Sequence, residues 1–190
     1  MIGEIELLEK ASNHLHYEIN KIFEAYDYFK THPKNYTQLR IEIFLLHSRN
    51  LFDFFYPNKT IQIDTMCVFD FLDNYEEFNN KRTTKKDLDS DKVKVKINKC
   101  LSHITYARCY SSFPDWHIEK IMKGMVETIK TFYEVLPDDY KNWNYIQKIK
   151  DLVKNFENKH KINTLIKKED IVGTTSSDSG VSISGLRELS

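Results

Sequence analysis

His47, Arg49, Asn50 and Asp53 fall inside the run LLHSRNLFDFFYP, residues 45 to 57, which is otherwise almost wholly apolar. These side chains move protons, hold phosphates and pair with charges. Packing alone gives a core no reason to gather four of them. Two readings stay open: a functional site, or a buried polar network that only fixes the fold.

At about 100° per residue, Leu39, Ile43, Leu46, His47, Asn50, Leu51 and Phe54 share one broad helix face, with His47 and Asn50 inside its apolar stripe. Glu42, Arg49, Asp53 and Tyr56 form a second, polar strip, and Phe44, Phe52 and Phe55 carry apolar surface around the remaining side. A helix that is apolar nearly all round belongs at the centre of its domain. Arg49 and Asp53 stand four apart and can pair directly.

A second constellation lies in INKCLSHITYARCY, residues 97 to 110. Arg108 falls within the stripe of Val93, Ile97, Cys100, Leu101 and Ile104, and His103 lies on its flank. An arginine cannot shed its charge, so a carboxylate must meet it, with Asp53, Glu42 and Asp70 as candidates. If this helix packs against the first, His47, Arg49, Asn50, Asp53, His103 and Arg108 can converge in one pocket. His47, Asp53 and His103 could alternatively hold a metal, but no local multi-ligand spacing accompanies them, so no metal site is expected. P-loop, GxGxxG, GxSxG and HExxH patterns are absent from the sequence, and no cofactor is expected.

The elements that must position these residues are helical. Ile5, Leu8, Leu15, Ile19, Ile22, Phe23, Tyr26 and Phe29 recur at helical steps over residues 3 to 30, and a second helix spans about 36 to 56, stopped by Pro57. Asp64 is placed to cap a brief helix, TMCVFDFL, and residues 73 to 90 read as a polar loop. A helix over about 91 to 110 follows, then one entered at Pro114 and running to about Leu136, then one to about His160. The expected fold is all-α: an antiparallel up-and-down bundle of five to six helices over residues 1 to 170. The Ser-, Gly- and Thr-rich residues 171 to 190 read as a disordered tail.

Composition narrows the function classes. Lys plus Arg equals Asp plus Glu at 28 each, so the chain as a whole attracts neither nucleic acid nor anionic lipid, and such binding would need a local patch. The Lys-rich stretch 80 to 99 is diluted by Asp87, Asp89 and Asp91 and reads as a solvated loop and helix start. Cys67, Cys100 and Cys109 are odd in number and each sits beside apolar residues, which suits reduced, buried thiols. MIGEIELLEK is acidic and amphipathic rather than a secretion signal, and His14 and His16 read as surface residues. No apolar run approaches the roughly 20 residues that span a bilayer. A cytoplasmic location without a membrane partner is expected.

The combination FLLHSRNLFDFF, DTMCVFDF, INKCLSHITYAR and a following DW resembles a recurring type of uncharacterised bacterial helical protein. The likeness covers residues 40 to 133. It implies importance for His47, Arg49, Asn50, Asp53, His103 and Arg108 without implying a reaction. The chain also resembles the HEPN helical domains, many of them metal-independent ribonucleases carrying an Arg, four to six residues, then a His. RIEIFLLH supplies Arg40, six residues and His47 on one helix face. In that family the pair faces its symmetry mate in a dimer and the composite site cleaves RNA. The position after the Arg, usually polar there, is Ile41 here.

Two functions are therefore carried forward. In the first, a HEPN-like endoribonuclease or RNA-binding protein of a bacterial defence or stress system, His47 is the general acid or base and Arg40 holds the scissile phosphate. Arg49 and Asn50 position the RNA, and a homodimer completes the site. In the second, a non-catalytic helical module, such as an immunity, antitoxin or scaffold subunit, meets a protein partner through FDFFYP or NWNYIQ.

Overall fold

The computed structural model describes residues 4–32, 38–57, 66–84, 88, 90–98 and 116–160. Within them the fold is all-α. Helix α1 (Glu4–Thr31) places Leu15, Ile19, Ile22, Phe23, Tyr26 and Phe29 in the core, with Glu4 and Glu6 in its first turn and Lys30 in its last, as the helix dipole favours. Helix α2 (Gln38–Phe55) ends two residues before Pro57. It runs antiparallel to α1, with Glu18 opposite His47 and Phe29 against Phe44.

A 3-10 helix (Val68–Phe71) and α3 (Tyr75–Lys81) follow, then α4 (Ser90–Ile97). Helix α4 meets α2 through Lys94 and Asp53. Leu88 lies against Gly124, leaving no room there for a Cβ, and Lys96 lies over Trp116 at 5.5 Å. Those contacts make α4 antiparallel to α5 (Ile118–Val135). After the short α6 (Asp138–Lys141), α7 (Asn144–His160) returns along α5, where Lys130 pairs with Glu157 at 2.9 Å. Directions alternate along the chain, so α1 and α7 point the same way. They pack side by side, with His16 at Tyr145, Phe23 stacked on Phe156 at 4.3 Å, and Asp27 at His160.

One part of the core is an aromatic cluster. The ring of Phe132 lies 6.0, 5.7, 6.0 and 6.4 Å from those of Phe54, Phe55, Phe71 and Phe78. This cluster explains two departures from expectation. The stretch 73 to 90 is not one loop: Asn74 accepts a hydrogen bond from the Glu77 N–H at 3.1 Å and starts α3, whose Phe78 is fully buried. One buried residue leaves no periodicity to read. The buried side of α2 is also turned from the expected stripe. Phe44, Leu45, Ser48, Leu51, Phe52 and Phe55 face inward, while Leu39 and Leu46 are 64% and 46% exposed. Three phenylalanines bury more apolar area than the leucines and set the helix rotation.

Tyr56 is likewise buried rather than on a polar strip, its hydroxyl donating to the Thr83 carbonyl or meeting the Thr128 hydroxyl at 2.9 and 2.8 Å. The 3-10 helix begins at Cys67, whose N–H donates to Asp70 at 2.7 Å; the expected cap Asp64 lies outside the described residues. Cys67 is a free, buried thiol, and burial pushes its pKa up. Cys100, Cys109, Pro114 and residues 161 to 190 also lie outside the described residues. Among the described residues no helix is long and apolar enough to cross a membrane.

Candidate functional site

The seam between α1 and α2 holds two of the residues the sequence singles out. His47 and Asn50, three apart on α2, both reach Glu18 of α1. His47 Nδ1 lies 2.7 Å from Glu18 Oε2, and the Asn50 side-chain amide donates to the same oxygen at 3.1 Å. His47 is 9% exposed, and the half-exposed Tyr17 ring meets it edge-on at 5.6 Å. With Glu18 ionised, Nδ1 carries the imidazole proton and Nε2 is the basic nitrogen. The carboxylate thus fixes both ring orientation and tautomer, the arrangement an acid–base histidine needs.

Arg40 lies two turns earlier on the same edge of α2, about 10 Å from His47 along the axis. Its guanidinium rests on the Tyr28 ring at 4.9 Å and makes no hydrogen bond to any described residue. It opens on a surface cavity of about 390 Å³ lined also by Glu24, Asp27, Thr31 and Lys159. Glu24 is held below the usual carboxylate range, first by its hydrogen bond from Lys21 at 2.7 Å and then by Asn20, with the Arg40 charge adding to both. Asp27 is engaged by Lys159 at 2.7 Å and by His160.

Arg49 and Asp53 occupy the other edge of α2. Arg49 Nε stands 3.9 Å from Asp53, and Lys94 of α4 is the closer partner of that carboxylate. The described members of the expected pocket therefore do not meet in one place. His47 and Asn50 turn toward α1, and Arg49 and Asp53 toward α4, because one helix cannot present residues 47 and 49 to the same neighbour. His103 and Arg108 lie outside the described residues. Among the described residues no group of three or more His, Cys, Asp and Glu side chains gathers to hold a metal.

Sequence reasoning missed Glu18, which no motif within α2 could have indicated. It also passed over Tyr17, Lys21 and Tyr28, although their spacing marks one stripe of α1. His16, read as a surface residue, is half-buried against Tyr145 at 5.8 Å, and burial, with the nearby Lys148 charge, lowers its pKa. No family model, curated protein or solved structure matches the chain.

Proposed function

We propose that the chain is a HEPN-like, metal-independent endoribonuclease acting in the cytoplasm as a homodimer. The observation that carries this reading is the state of Arg40. Its guanidinium lies over the Tyr28 ring and donates no hydrogen bond to another described residue, at an open cavity two turns from a carboxylate-oriented histidine. Guanidinium donors left open at a cavity can meet a phosphate.

In this reading His47 Nε2 takes the proton of an RNA 2′-hydroxyl as that oxygen attacks the adjacent phosphorus. Arg40 stabilises the charge growing on the phosphate oxygens, and because it lies about 10 Å along α2 from the His47 of its own chain, an arginine and a histidine meet at one phosphate across the dimer. The bond from phosphorus to the 5′-oxygen breaks, and a protonated imidazole returns a proton to the leaving oxygen. Leu39 and Leu46, with the half-buried Ile43 between them, form a strip of α2 beside Arg40 and His47, and a second α2 docked there supplies the second imidazole.

The test is incubation of mixed single-stranded RNA with EDTA present, alongside sedimentation. Wild type is expected to sediment as a dimer and to cleave. His47→Ala and Arg40→Ala each lose cleavage by about 100-fold or more while remaining dimeric. A monomeric, inactive wild type overturns the reading. The same exposed strip, Leu39 and Leu46, favours the second one: a non-catalytic module that docks on a protein partner.

A further inference from the structure

Tyr17, Lys21, Glu24 and Tyr28 follow one another at steps of four, three and four on α1 and so form a single stripe. Contacts lay that stripe along α2, with Tyr17 at His47 and Tyr28 at Arg40. The two rings are about 16 Å apart along the helix. Each carries a cation: Lys21 Nζ stands 5.6 Å from the centre of the Tyr17 ring, and Arg40 stands 4.9 Å from that of Tyr28. Tyr17 is 50% exposed. On Tyr28 the exposed His32 ring lies flat, 4.5 Å away and tilted by only 15°, so a planar heterocycle already fits there.

Aromatic faces next to cations are what unpaired bases stack on, with phosphates following the cations. The carboxylates set the character of the binding. Glu18 sits on His47, Glu24 on Lys21, and Asp27 on Lys159 and His160. The stripe has no surplus of positive charge to attract a polyanion, so the ring faces must supply the affinity. A duplex, whose bases have no free face, gains nothing from it.

We propose that this α1 stripe is the substrate track of the ribonuclease, positioning single-stranded RNA by stacking one base on Tyr17, beside His47, and a second, non-adjacent base on Tyr28 in place of His32. The inference rests on the ribonuclease reading for its choice of substrate, and it adds Tyr17, Lys21 and Tyr28 as positioning residues.

The probe is a fluorescent 2′-O-methyl decauridine, which lacks the attacking hydroxyl, so binding is read apart from cleavage by anisotropy on the full chain. Tyr17→Leu and Tyr28→Leu are each expected to weaken binding about tenfold, and Tyr17→Phe and Tyr28→Phe, which keep the ring, to stay within about twofold of wild type. Unfolding midpoints measured alongside separate lost binding from lost folding, and the half-exposed Tyr17 is the variant least able to disturb the core. An abasic decamer and a duplex of the same sequence bind more weakly. The logarithm of affinity falls with that of salt at a slope no steeper than about −1.5, the value for two phosphates.

Leucine variants that bind like wild type, equal binding of the abasic strand, or no binding by wild type overturn the track. If decauridine with its 2′-hydroxyls is cut in a His47-dependent way while the tyrosine variants bind normally, only the track fails. If binding depends on the tyrosines and the ribo-oligomer stays intact, the track stands and the ribonuclease reading falls.

Discussion

Phe132 meets four rings from α2, the 3-10 helix and α3, all within 6.4 Å, whereas His47 meets one carboxylate and one ring edge. Both neighbourhoods draw on the same helix, α2, yet they hold themselves together differently. In the aromatic cluster the stabilisation is spread over many non-directional contacts, so its strength follows volume. In the seam it is concentrated in two hydrogen bonds to one oxygen, so it follows charge and angle. Changes in the cluster should therefore be felt as lost stability, and changes in the seam, on the proposed function, as lost chemistry.

The largest effect on that contrast comes from Phe132→Ala, which opens a cavity among four rings and is expected to cost about 3–5 kcal/mol. Chemical denaturation measures it; a loss below about 1 kcal/mol would mean that the cluster is not a shared structural unit. Glu18→Gln keeps an acceptor near His47 and Asn50 but removes its charge. A stability loss of about 1 kcal/mol is expected, with RNA cleavage reduced by a larger factor than stability explains. Equal loss of both would dissolve the distinction between seam and cluster.

The smallest effect is expected of Glu119→Gln. Burial pushes the Glu119 carboxyl up, but hydrogen bonds from Lys30 and Tyr26 outweigh it and leave the pKa below its ordinary 4.5. A depressed carboxylate contributes stability that is present above the unfolded value and is lost as pH falls through the folded one. The variant should therefore unfold at lower temperature at pH 7 and show a shallower fall of its midpoint below about pH 4.5. An unchanged acid limb would remove Glu119 from the account of acid stability.

Much of the fold was legible because α1, α5 and α7 carry their buried residues at helical spacing, and because Pro57 marks where α2 must stop. Helix α3 was hidden because Phe78 is its one buried residue. The rotation of α2 was misread because a wheel weighs Leu39 and Leu46 as heavily as Phe52 and Phe55, whereas packing weighs them by volume. Of the candidate site, His47 stands out as a polar residue in an apolar run, and Arg40 enters only through the resemblance to HEPN domains. Glu18 was not legible, because it reaches His47 across 29 residues of sequence, and the pairing of two helices is not written in either one alone. Arg49 and Asp53 were correctly read as neighbours, but their preference for the α4 side depends on Lys94, 41 residues beyond Asp53.

The side-by-side packing of α1 and α7 has a consequence for how the chain comes to be folded. Asp27 and His160 are 133 residues apart, and Phe23 needs Phe156 to cover it. Of the described elements, α1 is synthesised first and α7, the surface that completes it, last. Closing so long a loop is entropically expensive and slow compared with forming the neighbouring hairpins. Until α7 arrives, the Phe23 and Tyr26 side of α1 stays open to water and to other nascent chains. Of the described elements, α1 must therefore wait longest for its covering partner, with its apolar side open to aggregation meanwhile.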